Sequence, residues 1–232
     1  TYIAEGDLGF SDEERLYQYW LEEHAPDLGQ QLTVRRKTVG GITVDDVWSF
    51  PTNMDLTYCI GTGFTSAQRE EIGSALQNAG RAWSQIAGVQ FRELDVSGTC
   101  NENNNQVVFD VQRLASASFF ARAFFPSDAR SDRTLLVSDS AFTTTSGGRT
   151  LEGIMTHELG HALGFRHEHI WTGCTGESTS DARQVTAYDE VSVMHYPQCR
   201  DPQGGGYQVS ALDYAGAVGL YGLAPALIAA VV

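Results

Sequence analysis

The chain has 232 residues, of which 42% are hydrophobic and 19% charged, and carries a formal net charge of −14. That length and balance suit one folded core plus a short appended segment and exclude a disordered chain. The acidic surplus excludes nucleic acid as a partner, since little here would neutralise a run of phosphates, and it suits a dispersed monomer.

Taken in chain order, residues 11–24 (SDEERLYQYWLEEH) predict an amphipathic helix with Ser11 and Glu14 as a capping box, stopped by Pro26. The stretch QQLTVRRKTVGGITVDD comes next, with a basic triplet Arg35–Arg36–Lys37 ahead of two glycines. It is expected to be an exposed, cleavable connection. From Trp48 the pattern turns to strand and helix. DLTYCI (55–60) is read as a strand, and residues 65–88 as a helix with Ile72, Leu76, Ala79, Trp83 and Ile86 at helical spacing. Strands are expected over 88–94, 106–111 and 134–138, with 118–125 (SFFARAFF) as an edge strand ended by Pro126. GRTLEGIMTHELGHALGF then predicts a helix ending at Gly164. A turn-rich stretch leads to VSVMHYPQC (191–199), and Ser210 with Asp213 caps a last helix over 210–222.

Cys59, Cys100, Cys174 and Cys199 include no CxxC pair, so two disulfides in an oxidising compartment are expected rather than a zinc knuckle. Three pairings are possible; Cys59–Cys100 and Cys174–Cys199 close the shorter loops. No apolar run is long enough for a membrane span, LAPALIAAVV at the close included. No basic-then-apolar leader opens the sequence, as expected if a signal peptide has been removed or was never included.

The chemistry concentrates in HELGHALGFRHEH, residues 157–169. On a helix, His157 and His161 stand one turn apart and can aim two imidazoles at one point. A catalytic zinc site takes three protein ligands and leaves a fourth position for water. Glu158 lies beside that point, placed to take a proton from the water. Gly164 can leave the helix in a left-handed conformation, so that a later histidine swings back under the metal. Spacing alone does not choose between His167 and His169. A solvated charged helix face is the competing reading, but it does not account for five of six histidines falling within 157–195.

HELGHALGFRH fits the HExxHxxGxxH pattern of the metzincin zinc peptidases, and SVMHYP (192–197) resembles their methionine turn. The resemblance makes His157, His161 and His167 the ligands of one catalytic zinc ion, leaves His169 as a surface or supporting residue, and puts Met194 beneath the imidazoles as an apolar floor. GFRHEH and SVMHY most resemble the astacins. That likeness implies that Tyr196 approaches the zinc as a fifth ligand and that Glu168 anchors a mature N-terminus. It also makes AEGDL (4–8) similar to the latch of astacin propeptides, with Asp7 as a ligand of the latent form, although Ala4 replaces the aromatic. The acidic and basic run of astacins after the third histidine is absent, and SALDYAGAVGLYG is closer to the ending of matrixins.

The implied fold is α/β (α+β): a twisted, mostly parallel sheet with an antiparallel edge strand, an active-site helix and a smaller irregular C-terminal part. Residues 1–47 are expected to be propeptide-like, 48–225 to be the catalytic domain (upper part 48–164, lower part 165–225), and 226–232 a tail. The expected function is a secreted zinc endopeptidase acting on proteins or peptides, with Glu158 as general base, Tyr196 on the oxyanion, and substrate added to the edge strand. Arg200 is a candidate for the primed-side pocket, and nothing in the sequence supports a calcium site. The alternatives are a zinc-dependent binding or adhesion module and a hydrolase of non-peptide bonds; the presence of Glu158 speaks against a pure binder.

Overall fold

A computed structural model describes residues 2–4, 8–10, 32–96, 99–144, 149–200 and 206–231. Asp7 and the helix expected over 11–24 lie outside the described residues. Short strands β1 (Tyr2–Ala4) and β2 (Leu8–Phe10) pair antiparallel.

The main sheet is laid out in the order β6-β5-β7-β9-β8. Its members are β5 (Leu56–Ile60), β6 (Phe91–Glu93), β7 (Phe109–Leu114), β8 (Ala121–Arg122) and β9 (Thr134–Ser138). All neighbours are parallel except β8, which runs antiparallel to β9 at the edge. Every residue of β5 is buried, as expected of a strand covered on both faces. The edge strand is shorter than expected, two residues of the eight in SFFARAFF, and β7 begins later than the expected 106.

Two helices pack against this sheet and against each other. Helix α1 (Ser66–Ser84) starts at a capping box of Thr65 and Gln68 and buries Ile72, Leu76, Ala79 and Trp83 along one stripe. Helix α2 (Leu151–Ala162) is capped by Thr150, whose hydroxyl accepts from the amide of Gly153. Trp83 joins the two helices. Its Nε1 donates to the Thr156 carbonyl at 3.0 Å, and its ring stacks on Phe165 at 5.3 Å between centroids. Helix α3 (Ala211–Tyr221) begins at the expected Ser210–Asp213 capping box, and the Tyr221 hydroxyl donates to the Leu163 carbonyl. The closing residues, expected to be a tail, form helix α4 (Pro225–Val231), since proline suits a first helical position and the alanines and leucine after it are strong helix formers.

The Arg35–Lys37 segment departs from expectation. It lies within β3 (Thr33–Val39), which pairs with β4 (Ile42–Asp45) on one edge and β10 (Ala182–Gln184) on the other. Gly40 and Gly41 both have positive φ, +58° and +84°, as a tight two-residue hairpin turn demands. Leu32, Thr33 and Val34 are buried, so the segment is part of the folded body rather than an exposed connection. Arg35 and Lys37 both pair with the buried carboxylate of Asp46. The β-branched residues flanking the glycine pair specify the hairpin, and two of the three basic side chains are turned to a buried carboxylate rather than to solvent.

Both disulfides form as expected, Cys59–Cys100 and Cys174–Cys199. None of the helices is long and apolar enough to cross a membrane among the described residues.

Candidate metal centre

Helix α2 is buried nearly all round, so its polar residues at 157, 158 and 161 are carried into the interior rather than left in water. It stops at Gly164, whose φ of +100° turns the chain back. A Cβ at that position would strike the Asp46 carbonyl oxygen, which leaves room only for glycine. The reversal brings His167 beneath the helix, with ring centroids 4.7 Å from His161 and 5.2 Å from His157. One ring nitrogen from each of the three lies within 4.8 Å of the others.

Each imidazole is oriented through its far nitrogen. Nδ1 of His157 donates to the Val193 carbonyl at 2.8 Å, and Nδ1 of His161 to the Phe165 carbonyl at 2.7 Å. Nδ1 of His167 sits 2.9 Å from both oxygens of Glu177. With protons on all three Nδ1 atoms, the Nε2 atoms present lone pairs to a common point. Nε2 of His161 and of His167 are 3.1 Å apart with no proton between them. That arrangement is repulsive unless a cation occupies the gap. A tetrahedral ion holding nitrogens at 2.0–2.1 Å spaces them about 3.3 Å apart, so the donor set fits zinc. Burial, reinforced by the neighbouring rings, holds His157 well below the ordinary histidine range; burial likewise takes His161 down to about 3. Neutral imidazoles are the ligating form.

Met194 is fully buried. A Cβ on Gly160 would collide with its sulfur, so the helix backbone between His157 and His161 rests directly on the thioether. The turn is itself fastened from below. Asp213, buried on α3, accepts from the Ser192 hydroxyl at 2.5 Å and the Val193 amide at 2.8 Å. The same Val193 supplies the carbonyl that orients His157.

Glu158, next to His157 along the helix, faces with it into a cleft of about 210 Å³ beside β8 that is lined also by Phe119, Ala121, Arg149, Tyr196 and Tyr207. Burial pushes its carboxyl up to about 8, against a hydrogen bond from the Ala123 backbone. Tyr196 stands with its ring centroid 4.4 Å from His167 and 5.7 Å from His157. His169 is wholly buried, not on the surface: it stacks on His167 at 4.8 Å, and its Nδ1 accepts from the Tyr196 amide. Glu168 is buried as well, accepting from the Thr33 hydroxyl at 2.8 Å and the Asp189 amide at 3.3 Å. Burial pushes it to about 8.

Arg200, a candidate for the primed-side pocket, sends its guanidinium instead to the carbonyls of Ser192, His195 and Gly206. The cation that lines the cleft is Arg149. Sequence reasoning missed Arg149, Tyr207 (4.7 Å from His157 between ring centroids) and Glu177. All three come from loops, and no spacing rule ties them to the motif.

The matrixin family (peptidase M10) matches residues 48–173. Tolloid, the dorsal-ventral patterning protein of Drosophila melanogaster, is 27% identical over 148 residues, spanning 63% of this chain and 11% of its own length. Matrix metalloproteinase-18 of Xenopus laevis is 26% identical over 148 residues, spanning 61% of this chain and 28% of its own. The chain thus spans less than a third of these relatives. The solved structure of myroilysin shares the fold, with a TM-score of 0.52 and 19% identity over 76% of this chain and 95% of that one. The chain belongs to the matrixin family of metzincin zinc metallopeptidases.

Proposed function

We propose that the chain is a zinc-dependent endopeptidase that hydrolyses peptide bonds in extended protein segments. The observation that carries the reading is the convergence of three Nε2 lone pairs from His157, His161 and His167 on one point, with the Glu158 carboxyl in the adjoining cleft. A zinc ion held there would supply Lewis acidity, polarising a carbonyl and acidifying water. The remaining work falls to the chain. Glu158 accepts a proton from the attacking water and returns it to the leaving amine; its buried setting keeps its affinity for that proton high. The Tyr196 hydroxyl, which burial keeps protonated, donates to the oxygen that becomes negative. Substrate lies extended beside β8 and adds its backbone to the sheet edge. A pure binding module has no use for a buried carboxyl at this position.

In the same reading the protein is secreted, residues 48–225 form the catalytic unit with the β3–β4 hairpin packed on it, and Asp7 serves as a latch in a latent form. Because β3 is paired on both edges, the activating cut lies upstream of Thr33 rather than at Arg35–Lys37. Casein digestion with and without a zinc chelator tests the activity: hydrolysis that persists in chelator removes the proposal. Equal activity before and after limited trypsin treatment removes the latch alone.

A further inference from the structure

The three ligating imidazoles are not held alike. His157 and His161 donate to backbone carbonyls, at Val193 and Phe165, whose positions are set by the fold. His167 donates to a side chain, and that side chain belongs to the turn-rich segment after the active-site helix. Glu177 is placed by several independent constraints. The Thr175 hydroxyl donates to its Oε1 at 2.8 Å, and Arg166 stands 3.7 Å from its Oε2. Gly173 and Gly176 take positive φ on either side of Cys174, which is bridged to Cys199.

A second imidazole points the same way. Nδ1 of His169 accepts from the Tyr196 amide, so its proton sits on Nε2. That nitrogen is fully buried, has no partner at hydrogen-bond distance, and lies 3.5 Å from Oε1 of Glu177. Two imidazole N–H groups and a hydroxyl thus face one carboxylate. An anion receiving the far N–H of a ligating histidine fixes its tautomer and ring plane, and makes the opposite nitrogen a better donor to a metal.

We propose that Glu177 is the positioning residue for the third zinc ligand, its carboxylate holding His167 in the plane and tautomer that aim Nε2 at the ion, with His169 as a buttress behind the same carboxylate. Glu177 touches neither substrate nor metal; it acts through His167. The inference rests on the zinc reading of the site.

The experiment is zinc affinity by chelator competition on the full chain and its Glu177→Gln and Glu177→Ala variants, together with the visible absorption of the cobalt-substituted proteins. Glu177→Ala is expected to bind zinc about 10–100-fold more weakly, with a changed cobalt spectrum. Glu177→Gln keeps the shape and an acceptor oxygen without the charge, so it falls between; it also serves if the alanine variant does not fold. Zinc affinity within twofold of the parent and an unchanged cobalt spectrum in Glu177→Gln and Glu177→Ala overturn the proposal while leaving the zinc site standing. Two zinc ions per parent chain and one in Glu177→Ala would make Glu177 a direct ligand, which also overturns it. A parent chain that takes up no zinc sinks the metal reading itself, and this inference with it.

Discussion

The parts of the molecule on either side of Gly164 are built on different physics. The upper part is a sheet and two helices around buried Trp83, Phe109, Leu135 and Val137, where apolar burial supplies the cohesion. The part beyond it has few regular elements and is held by buried polar groups: Glu168, His169, His195 and Asp213 are each about 0% exposed. Apolar packing is non-directional and tolerates small shifts, whereas a buried carboxylate with fixed donors permits one arrangement. Two of the proposed zinc ligands stand on the first kind of structure, and the third, with the methionine turn, stands on the second.

Four measurements break or sharpen that contrast. The largest effect is expected at Glu158→Gln, which removes a proton acceptor while keeping shape. Activity should fall by about 10²–10⁴-fold or more, with bound zinc and thermal stability retained. Loss of zinc instead would give Glu158 a structural role and leave the two parts without a shared functional residue. Next, Trp83→Ala opens a cavity between the helices and should cost about 3–5 kcal/mol in a denaturant titration. Asp213→Ala leaves the Ser192 hydroxyl and the Val193 and Ser210 amides without their acceptor, at about 1–3 kcal/mol. It should also weaken zinc more than Trp83→Ala does for each kcal/mol lost, because Val193 orients His157. Equal zinc affinity in the two variants would show that the polar part does not position the ligands.

The smallest effect is the pH slope of the metal-free protein. Burial raises Glu168 from 4.5 to about 8, so the folded state holds its proton more tightly than the unfolded chain. Its contribution to stability is therefore full below about pH 4.5 and is lost as pH rises through 8. Stability should fall across that window with a slope from this group approaching about 1.4 kcal/mol per pH unit. Glu168→Gln should flatten it, and a slope unchanged by that substitution would mean Glu168 is not the group responsible.

Legibility in the sequence respects the same divide. His157, Glu158 and His161 are set by helical geometry over one turn, and Gly164 marks the turn-back, so all four are local signals. The choice of His167 over His169 needed a family likeness, because both come soon after Gly164 and both end near the site. Glu177 and Tyr207 reach the centre only through long-range folding of loops, and Glu177 is one of several acidic residues in a polar stretch with no period to single it out. The hairpin at Gly40–Gly41 is a different lesson. Its signal was local, a glycine pair between β-branched runs, and the neighbouring basic triplet drew the reading toward solvent.

The Cys174–Cys199 bridge ties the segment carrying Glu177 to the segment just past Met194. The supports of the proposed third ligand and the methionine turn are therefore joined by one covalent tie. Reduction of those sulfurs would let the two supports move apart, so full zinc affinity is expected only in the oxidised chain. Thiol reductants would then act on this protein in the manner of slow chelators.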